Sequence, residues 1–231
     1  MGAETVAILG GTGPQGRGMA LRFARAGVRV VIGSRDASRA REAAAALGGA
    51  GGGDDGEGAL PVTGADNAVA SRAAEIVFVA VPWEAHAATL RSLVTELAGR
   101  IVVDLVNPLE FDQRGPVCVL VPEGSSAEQA QAILPESTVV SGFHHVSAKL
   151  LLDESGGIDT DILVCGDDRE AKRRVMALAD RIPGARAVDA GPLRLAQFLE
   201  GLTAVILSVN RQYRTNTGVH LTNLDVARAR D

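Results

Sequence analysis

A doubly wound α/β sheet is the fold class this chain predicts, and three observations predict it. Val6-Ala7-Ile8-Leu9 is a short apolar run that breaks into the glycine loop Gly10-Gly11-Thr12-Gly13-Pro14-Gln15-Gly16 and reopens with helical periodicity. A second apolar run, Val28 to Gly33, closes a strand–helix–strand unit within about thirty residues. Further apolar runs of strand length then alternate with helical patterns along the chain, which is the signature of a parallel sheet covered on both faces.

The spacing G-x-G-x-x-G falls on Gly11, Gly13 and Gly16. In a dinucleotide-binding unit the first glycine makes the tight turn and the second lets backbone N–H groups approach a pyrophosphate. The third lets the helix pack on the strand, and the positive end of that helix faces the phosphates. In a chain with 27 glycines the spacing alone is weak evidence. The strand before it and the helix and strand after it give it weight.

Composition narrows the class. With 231 residues the chain can form one large domain, or a nucleotide-binding domain with a smaller appendage. A net charge of -5 argues against a general nucleic-acid or membrane-surface binder, since both need a basic face. Cys118 and Cys165 are the only cysteines, no export segment stands out, and no apolar run approaches the roughly 18 residues of a membrane span. A reducing cytoplasm is the expected setting.

Taken in order, the first helix carries Met19, Leu21, Phe23 and Ala24 and ends at Gly27. At the end of the second strand NAD enzymes usually place an acidic residue, about 20 residues past the glycines, to hold the ribose 2′-hydroxyl. This chain has Gly33-Ser34-Arg35, with Arg39 one turn on. A hydroxyl and guanidinium groups suit a 2′-phosphate, so NADP(H) is expected over NAD(H); the bland alternative is a solvated helix start balanced by Asp36 and Glu42. A helix from Asp36 to Leu47 runs into the glycine-rich tract 48–58, expected to be a surface loop. Leu60 to Gly64 reads as a short strand, Asp66 to Arg72 as a helix capped by Asp66, and Glu75 to Val81 as a fourth parallel strand.

That strand ends in Val81-Pro82-Trp83, with the only tryptophan, at the carboxyl end of the sheet where ligands lie. The alternative is that Pro82 and Trp83 merely end the strand and plug the core. Glu84 to Leu97 predicts one amphipathic helix, Ile101 to Asp104 a fifth strand, and Asn107 either a ribose contact or a turn residue. Val117 to Val121 has strand character, and Ser125 to Glu128 is a capping box opening a helix to about Leu134. Thr138 to Phe143 is a strand delivering His144-His145-Val146-Ser147-Ala148 to the ligand side. If the strand continued, the two histidines would point to opposite faces, and with no ligand-spaced carboxylate or thiol nearby no metal site is expected. A cleft role for one histidine and a satisfied structural role are both open. Asp161 to Asp168 is a strand ending in a helix start, Arg169 to Ile182 a helix and Arg186 to Asp189 a strand. Arg194 to about Tyr213 is a last helix with the wide apolar set Leu195, Phe198, Leu199, Leu202, Val205, Ile206 and Val209, which suggests a homodimer contact. The pattern is thus a doubly wound, Rossmann-type parallel sheet over residues 1–150 with a small C-terminal α/β extension, 151–231, ending in a long helix.

Gly10-Gly11-Thr12-Gly13-x-x-Gly16, Gly33-Ser34-Arg35, Val81-Pro82-Trp83-Glu84, Val164-Cys165-Gly166-Asp167-Asp168 and Asp189-Ala190-Gly191-Pro192-Leu193, in this order and over nearly the whole chain, resemble the coenzyme F420-dependent NADP oxidoreductases. The resemblance implies reversible hydride transfer between NADP(H) and the 5-deazaflavin of F420. It implies 2′-phosphate binding by Thr12, Ser34, Arg35 and Arg39, the last standing where the family often has Lys, and pyrophosphate binding by Gly13, Pro14 and Gln15. Trp83 and Ala87 would line the dinucleotide, Ala148 would contact the carboxamide through its backbone, and His144 and Val146 would stand beside the reacting rings. His145, Ser147 and the glycine-rich insertion depart from the archaeal pattern. Such chemistry needs alignment of two rings more than it needs acids or metals. His144 is then expected to orient the deazaflavin, and Lys149, Arg194, Arg211 and Arg214 are, on position alone, either candidates for the anionic F420 tail or solvated helix faces. Two other functions fit the glycine loop: NADPH-dependent reduction of a small imine, ketone or flavin, and a non-enzymatic NADP(H)-sensing module.

Overall fold

A computed structural model describes residues 4–48 and 60–225. The glycine-rich tract, from residue 49 onward, lies outside the described residues. The first strand, β1 (Thr5–Leu9), leads into α1 (Pro14–Arg25), followed by β2 (Arg29–Ser34), α2 (Ala37–Gly48), β3 (Val62–Asp66), α3 (Asn67–Arg72) and β4 (Ile76–Val79). Next come α4 (Trp83–Arg91), α5 (Val94–Leu97), β5 (Ile101–Asp104), the strands β6 (Leu109–Asp112) and β7 (Gly115–Cys118), α6 (Ser126–Ile133) and β8 (Thr138–Gly142). The chain closes with α7 (Ala148–Leu152), β9 (Thr160–Gly166), α8 (Arg169–Ala179), β10 (Ala185–Gly191), a 3-10 turn (Leu193–Leu195) and α9 (Ala196–Tyr213).

Eight strands form one sheet in the order β10-β9-β8-β5-β4-β1-β2-β3. The chain winds outward from β1 in both directions, so the crevice between β1 and β4 is the switch point where ligands bind in such sheets. Alternate residues of β1 feed two cores: Val6 and Ile8 pack with Met19, Phe23 and Phe78 on one face, and Ala7 and Leu9 with Val77, Leu90 and Val102 on the other. This two-sided burial is why the strands read as continuous apolar runs rather than alternating ones.

The doubly wound class therefore holds, with one departure from parallel pairing. β9 runs antiparallel to β8, with Gly142 opposite Val164, while β10 is again parallel to β9. A parallel crossover needs a connection long enough to return the chain to the opposite edge of the sheet. Here residues 143–159 stay on the side where β8 ended, with α7 packed on α1, and β9 starts from that side. Arg22 of α1 fixes this connection: its buried guanidinium donates to the carbonyls of Leu150 and Gly156 at 2.7 Å, of Leu151 at 2.9 Å, and of Asp153.

Other boundaries differ for local reasons. The expected helix Glu84 to Leu97 is broken between α4 and α5, where the Ser92 hydroxyl donates to the Thr89 carbonyl at 2.7 Å in place of the regular ladder. The expected strand 117–121 is displaced to Gly115–Cys118, which pairs with β6 in an antiparallel hairpin. Asp112 turns that hairpin by accepting from Arg114 N at 2.7 Å and Gly115 N at 3.0 Å. The predicted caps form: Asp66 accepts from Val69 N at 2.8 Å and Ser125 from Glu128 N at 3.0 Å.

Candidate active site

The glycine loop lies at the switch point. Gly11 N donates to the Gly33 carbonyl at 3.2 Å and Gly13 N to the Gly10 carbonyl at 3.1 Å, closing the turn between β1 and α1. A Cβ on Gly11 would lie 2.8 Å from the Ile32 side chain, and one on Gly16 would lie 2.5 Å from the Gly11 Cα. At Gly13 the nearest atom to such a Cβ is 3.5 Å away, so here the missing side chain serves an approach from outside rather than internal packing. No side chain caps α1 at Gly13, and Pro14 fills its first turn. The N–H groups and positive dipole end of a twelve-residue helix thus face outward where an anion fits.

Ser34 is half-buried at the end of β2, and its hydroxyl accepts from Asp36 N at 3.2 Å. Arg35 and Arg39 are exposed just beyond it, and among the described residues neither makes an ion pair. Thr12 is half-buried in the loop. This corner carries a hydroxyl and two exposed cations, with Asp36 within electrostatic reach of Arg39, and it fits a phosphate on the adenosine ribose.

Toward the other end of the loop a cleft of about 680 Å³ opens beside α1. Pro14, Gln15 and Trp83 line its dinucleotide side, Asn107, His144, Val146 and Ala148 its floor, and Thr203, Ile206 and Asn210 of α9 its far wall. Val81 and Ala87 are half-buried and Pro82 is exposed, flanking Trp83 at the start of α4. Of the four basic residues considered for an anionic tail, Lys149 lines this cleft, whereas Arg194 lines a separate hollow with Glu128 and Asp167. Arg211 sits in the last turn of α9, and Arg214 caps that helix in a left-handed conformation.

The histidine pair is not on a strand. β8 ends at Gly142, and Phe143 takes φ 64°, a left-handed conformation that is costly for an aromatic residue. Its ring holds it there, buried and edge-on to Phe23 and Phe78 at centroid distances of 6.3 and 5.6 Å. The reversal turns both histidines inward: His144 Nε2 lies 2.7 Å from Ser141 Oγ, and His145 Nε2 donates to the Asp161 carbonyl at 2.7 Å. Burial lowers both pKa values, that of His144 to about 4, so its ring is neutral at physiological pH. Asn107 Nδ2 donates to the His144 carbonyl at 3.0 Å. Asn107 Oδ1 and His145 Nδ1 are buried without hydrogen-bond partners in residues that line the cleft. No group of three or more potential metal ligands clusters among the described residues.

One feature was not legible in the sequence. His86, Asp104, Ser126 and Glu200 form a buried polar chain beside the cleft, starting 2.6 Å apart at His86 Nε2 and Asp104 Oδ2. The available signal was Glu200, a carboxylate one turn before Thr203 on the buried face of α9.

The comparisons agree with this geometry. Residues 5–108 match the family described as NADP oxidoreductase, coenzyme F420-dependent. An F420-dependent NADP reductase of Methanocaldococcus jannaschii is 38% identical over 96% of this chain and 99% of its own length. One from Methanothermobacter marburgensis is 38% identical over 95% and 98%. A crystal structure of an Arthrobacter sp. FB24 protein assigned as an F420-dependent NADP reductase superposes with a TM-score of 0.76 at 30% identity, covering 94% of this chain and 97% of that one. With relatives at this identity over nearly their whole length, the chain belongs to the F420-dependent NADP oxidoreductases.

Proposed function

We propose that this protein transfers a hydride reversibly between NADP(H) and coenzyme F420. The observation that carries the reading is the single cleft running from the N-terminus of α1, past Trp83, to α9. It is long enough for two ring systems and rich in apolar walls. The nicotinamide and the deazaflavin supply the redox chemistry themselves, each accepting or giving a hydride at carbon.

What the chain contributes is binding and alignment. Ser34, Arg35, Arg39 and Thr12 hold the 2′-phosphate, and Gly13, Pro14 and Gln15 hold the pyrophosphate, with Gly11 and Gly16 shaping the loop. Val81, Pro82, Trp83 and Ala87 line the dinucleotide, Asn107 meets the ribose, and Ala148 offers its backbone to the carboxamide. His144 and Val146 flank the reacting rings. A neutral His144 is a hydrogen-bonding and orienting group rather than an acid, and any proton comes from solvent. Residues 1–150 form the NADP(H) unit and residues 151–231 complete the F420 side of the cleft, with Lys149 at its border.

Two finer expectations belong to the same reading. Phe198 and Val205 of α9 are 65% and 58% exposed, near the exposed hairpin residues Phe111 and Val117, an apolar surface suited to a second copy of the chain in a homodimer. The cytoplasm is its place of action; among the described residues no helix is long and apolar enough to cross a membrane. The test is an anaerobic mixture of protein, NADPH and F420 followed by absorbance. Loss of the oxidised deazaflavin band in step with NADPH supports the reading, and an unchanged band with NADPH bound sinks it. Turnover of a small imine or ketone in its place would favour a different reductase.

A further inference from the structure

The polar chain beside the cleft has a countable proton inventory. Gln129 Nε2 donates to Glu123 at 3.2 Å, which turns Gln129 Oε1 toward His86 Nδ1 at 3.0 Å, so Nδ1 carries a proton. A second proton lies in the 2.6 Å bond between His86 Nε2 and Asp104 Oδ2, leaving that pair neutral overall. Asp104 Oδ1 accepts from Val106 N at 3.0 Å and lies 3.0 Å from Ser126 Oγ. Ser126 Oγ also lies 2.9 Å from the Val106 carbonyl and 2.9 Å from Glu200 Oε1. One hydroxyl proton faces three oxygens. Of the three, Glu200 is the one that can gain a proton without breaking the His86–Asp104 pair; as a carboxylic acid it would donate to Ser126 Oγ and free the hydroxyl proton for Asp104 or the Val106 carbonyl. Its Oε2 accepts from Ser126 N at 3.1 Å and its Oε1 from Ala127 N at 3.4 Å.

Position gives the inventory a consequence. Trp83, on the dinucleotide side of the cleft, stacks on His86 with ring centroids 5.6 Å apart and planes at 27°. Glu200 precedes Thr203, Ile206 and Asn210, the opposite wall, on the same helix. We propose that Glu200 and His86 are positioning residues: a protonated Glu200, linked through Ser126 and Asp104 to His86, fixes α9 relative to Trp83 and so sets the width of the cleft. Burial is the main cause that raises the Glu200 acid to about 7, in line with the inventory. Loss of its proton would turn the Ser126 hydroxyl toward Glu200, withdraw that hydrogen bond from Asp104 and the Val106 carbonyl, and leave a net negative charge in a dry network. The other titratable groups on elements packed against α9 are Glu128 on α6, Cys118 on β7, Arg194 in the 3-10 turn, and His144 beyond β8.

The significance of Trp83 and α9 as walls rests on the functional reading above, but the deciding titration needs neither cofactor nor turnover. Trp83 is the only tryptophan, so its emission reports the network directly. The free protein, labelled with carboxyl-13C glutamate, is titrated from acid to alkaline pH while Trp emission is recorded. The expected result is one glutamate resonance titrating near 7, absent in Glu200→Gln, with a step in Trp83 emission at the same pH that the variant also lacks. Glu200→Gln keeps a neutral, hydrogen-bonding side chain and is expected to bind NADPH within about twofold of the unmodified protein at pH 6, whereas Glu200→Ala is not. If every glutamate titrates in the ordinary carboxylate range, or if the Trp83 step persists in Glu200→Gln, the proposal is overturned. The labelled unmodified protein alone decides the first point should a variant fail to fold.

Discussion

Asn107 Nδ2 donates a 3.0 Å hydrogen bond to the main-chain carbonyl of His144, tying the loop after β5 to the turn after β8. The two segments approach the floor of the cleft from different crossovers, and this bond sets their relative height. Asn107→Ala is expected to cost about 1 kcal/mol of stability, the worth of one net hydrogen bond, and to lower kcat/KM as the two segments lose their relative position. Asn107→Asp, which sets a carboxylate against that carbonyl, is expected to lose more. Steady-state kinetics with both cofactors check this.

The choice of NADP(H) rests on Ser34, Arg35 and Arg39. Because the two guanidiniums are exposed and make no ion pair among the described residues, their charge is available to a phosphate. Arg35→Ala is expected to weaken NADPH binding by about tenfold to a hundredfold, the range of a charge-assisted hydrogen bond, and to leave NADH within about twofold. Titration calorimetry at two salt concentrations checks it, since the Arg35 contribution shrinks as salt rises. Equal losses for both nucleotides would place the phosphate elsewhere.

The glycines of the loop separate into two kinds. A Cβ at Gly16 meets the Gly11 Cα at 2.5 Å and the Gly10 carbonyl oxygen at 2.8 Å, both backbone. Gly16→Ala is therefore expected to destabilise the fold by about 1–3 kcal/mol. At Gly13, where φ is -78° and the nearest neighbour is 3.5 Å away, alanine fits the free protein. Gly13→Ala should leave the melting temperature nearly unchanged and weaken NADPH about tenfold or more, because the methyl group stands where the pyrophosphate comes close. Thermal melts and binding measurements on the two variants tell these effects apart.

Acid sensitivity follows from the buried histidines. In the unfolded chain His144 takes up a proton near 6.5, but in the fold burial delays this to about 4. Between these values the unfolded state binds more protons, so stability falls as pH drops from 6.5 to 4, by on the order of 3 kcal/mol from this residue. His145 acts in the same direction. Glu200, raised from 4.5 to about 7, acts oppositely: its acid form favours the fold at low pH, and that advantage is lost as pH rises from 4.5 to 7. Denaturant unfolding of His144→Gln from pH 4 to 7 should show a shallower loss of stability on the acid side than the unmodified protein. Parallel curves would mean that His144 titrates normally in the fold.

The parts of this molecule that sequence discloses are those where one local rule acts alone. Gly11, Gly13 and Gly16 announce their turn by spacing, and Asp66 and Ser125 announce their caps. The connection that brings β9 in antiparallel is held by Arg22 gripping four carbonyls more than 120 residues away, which no local pattern reveals. His144 and His145 were placed at the right end of the sheet, but their inward turn comes from a left-handed Phe143 held by Phe23 and Phe78. His86, Asp104 and Glu200 come together only after three helices and a strand have packed, so they look ordinary one at a time.

Deuterium tracing tests the central claim most directly. NADPH carrying deuterium at both positions of nicotinamide C4 is mixed with F420 and the protein in ordinary water, and the reduced deazaflavin is examined by mass spectrometry. Direct transfer within one cleft predicts that the reduced deazaflavin carries the label at C5 and that the water does not acquire it. Reduced F420 without label, or no reduction while NADPH remains bound, would contradict the account.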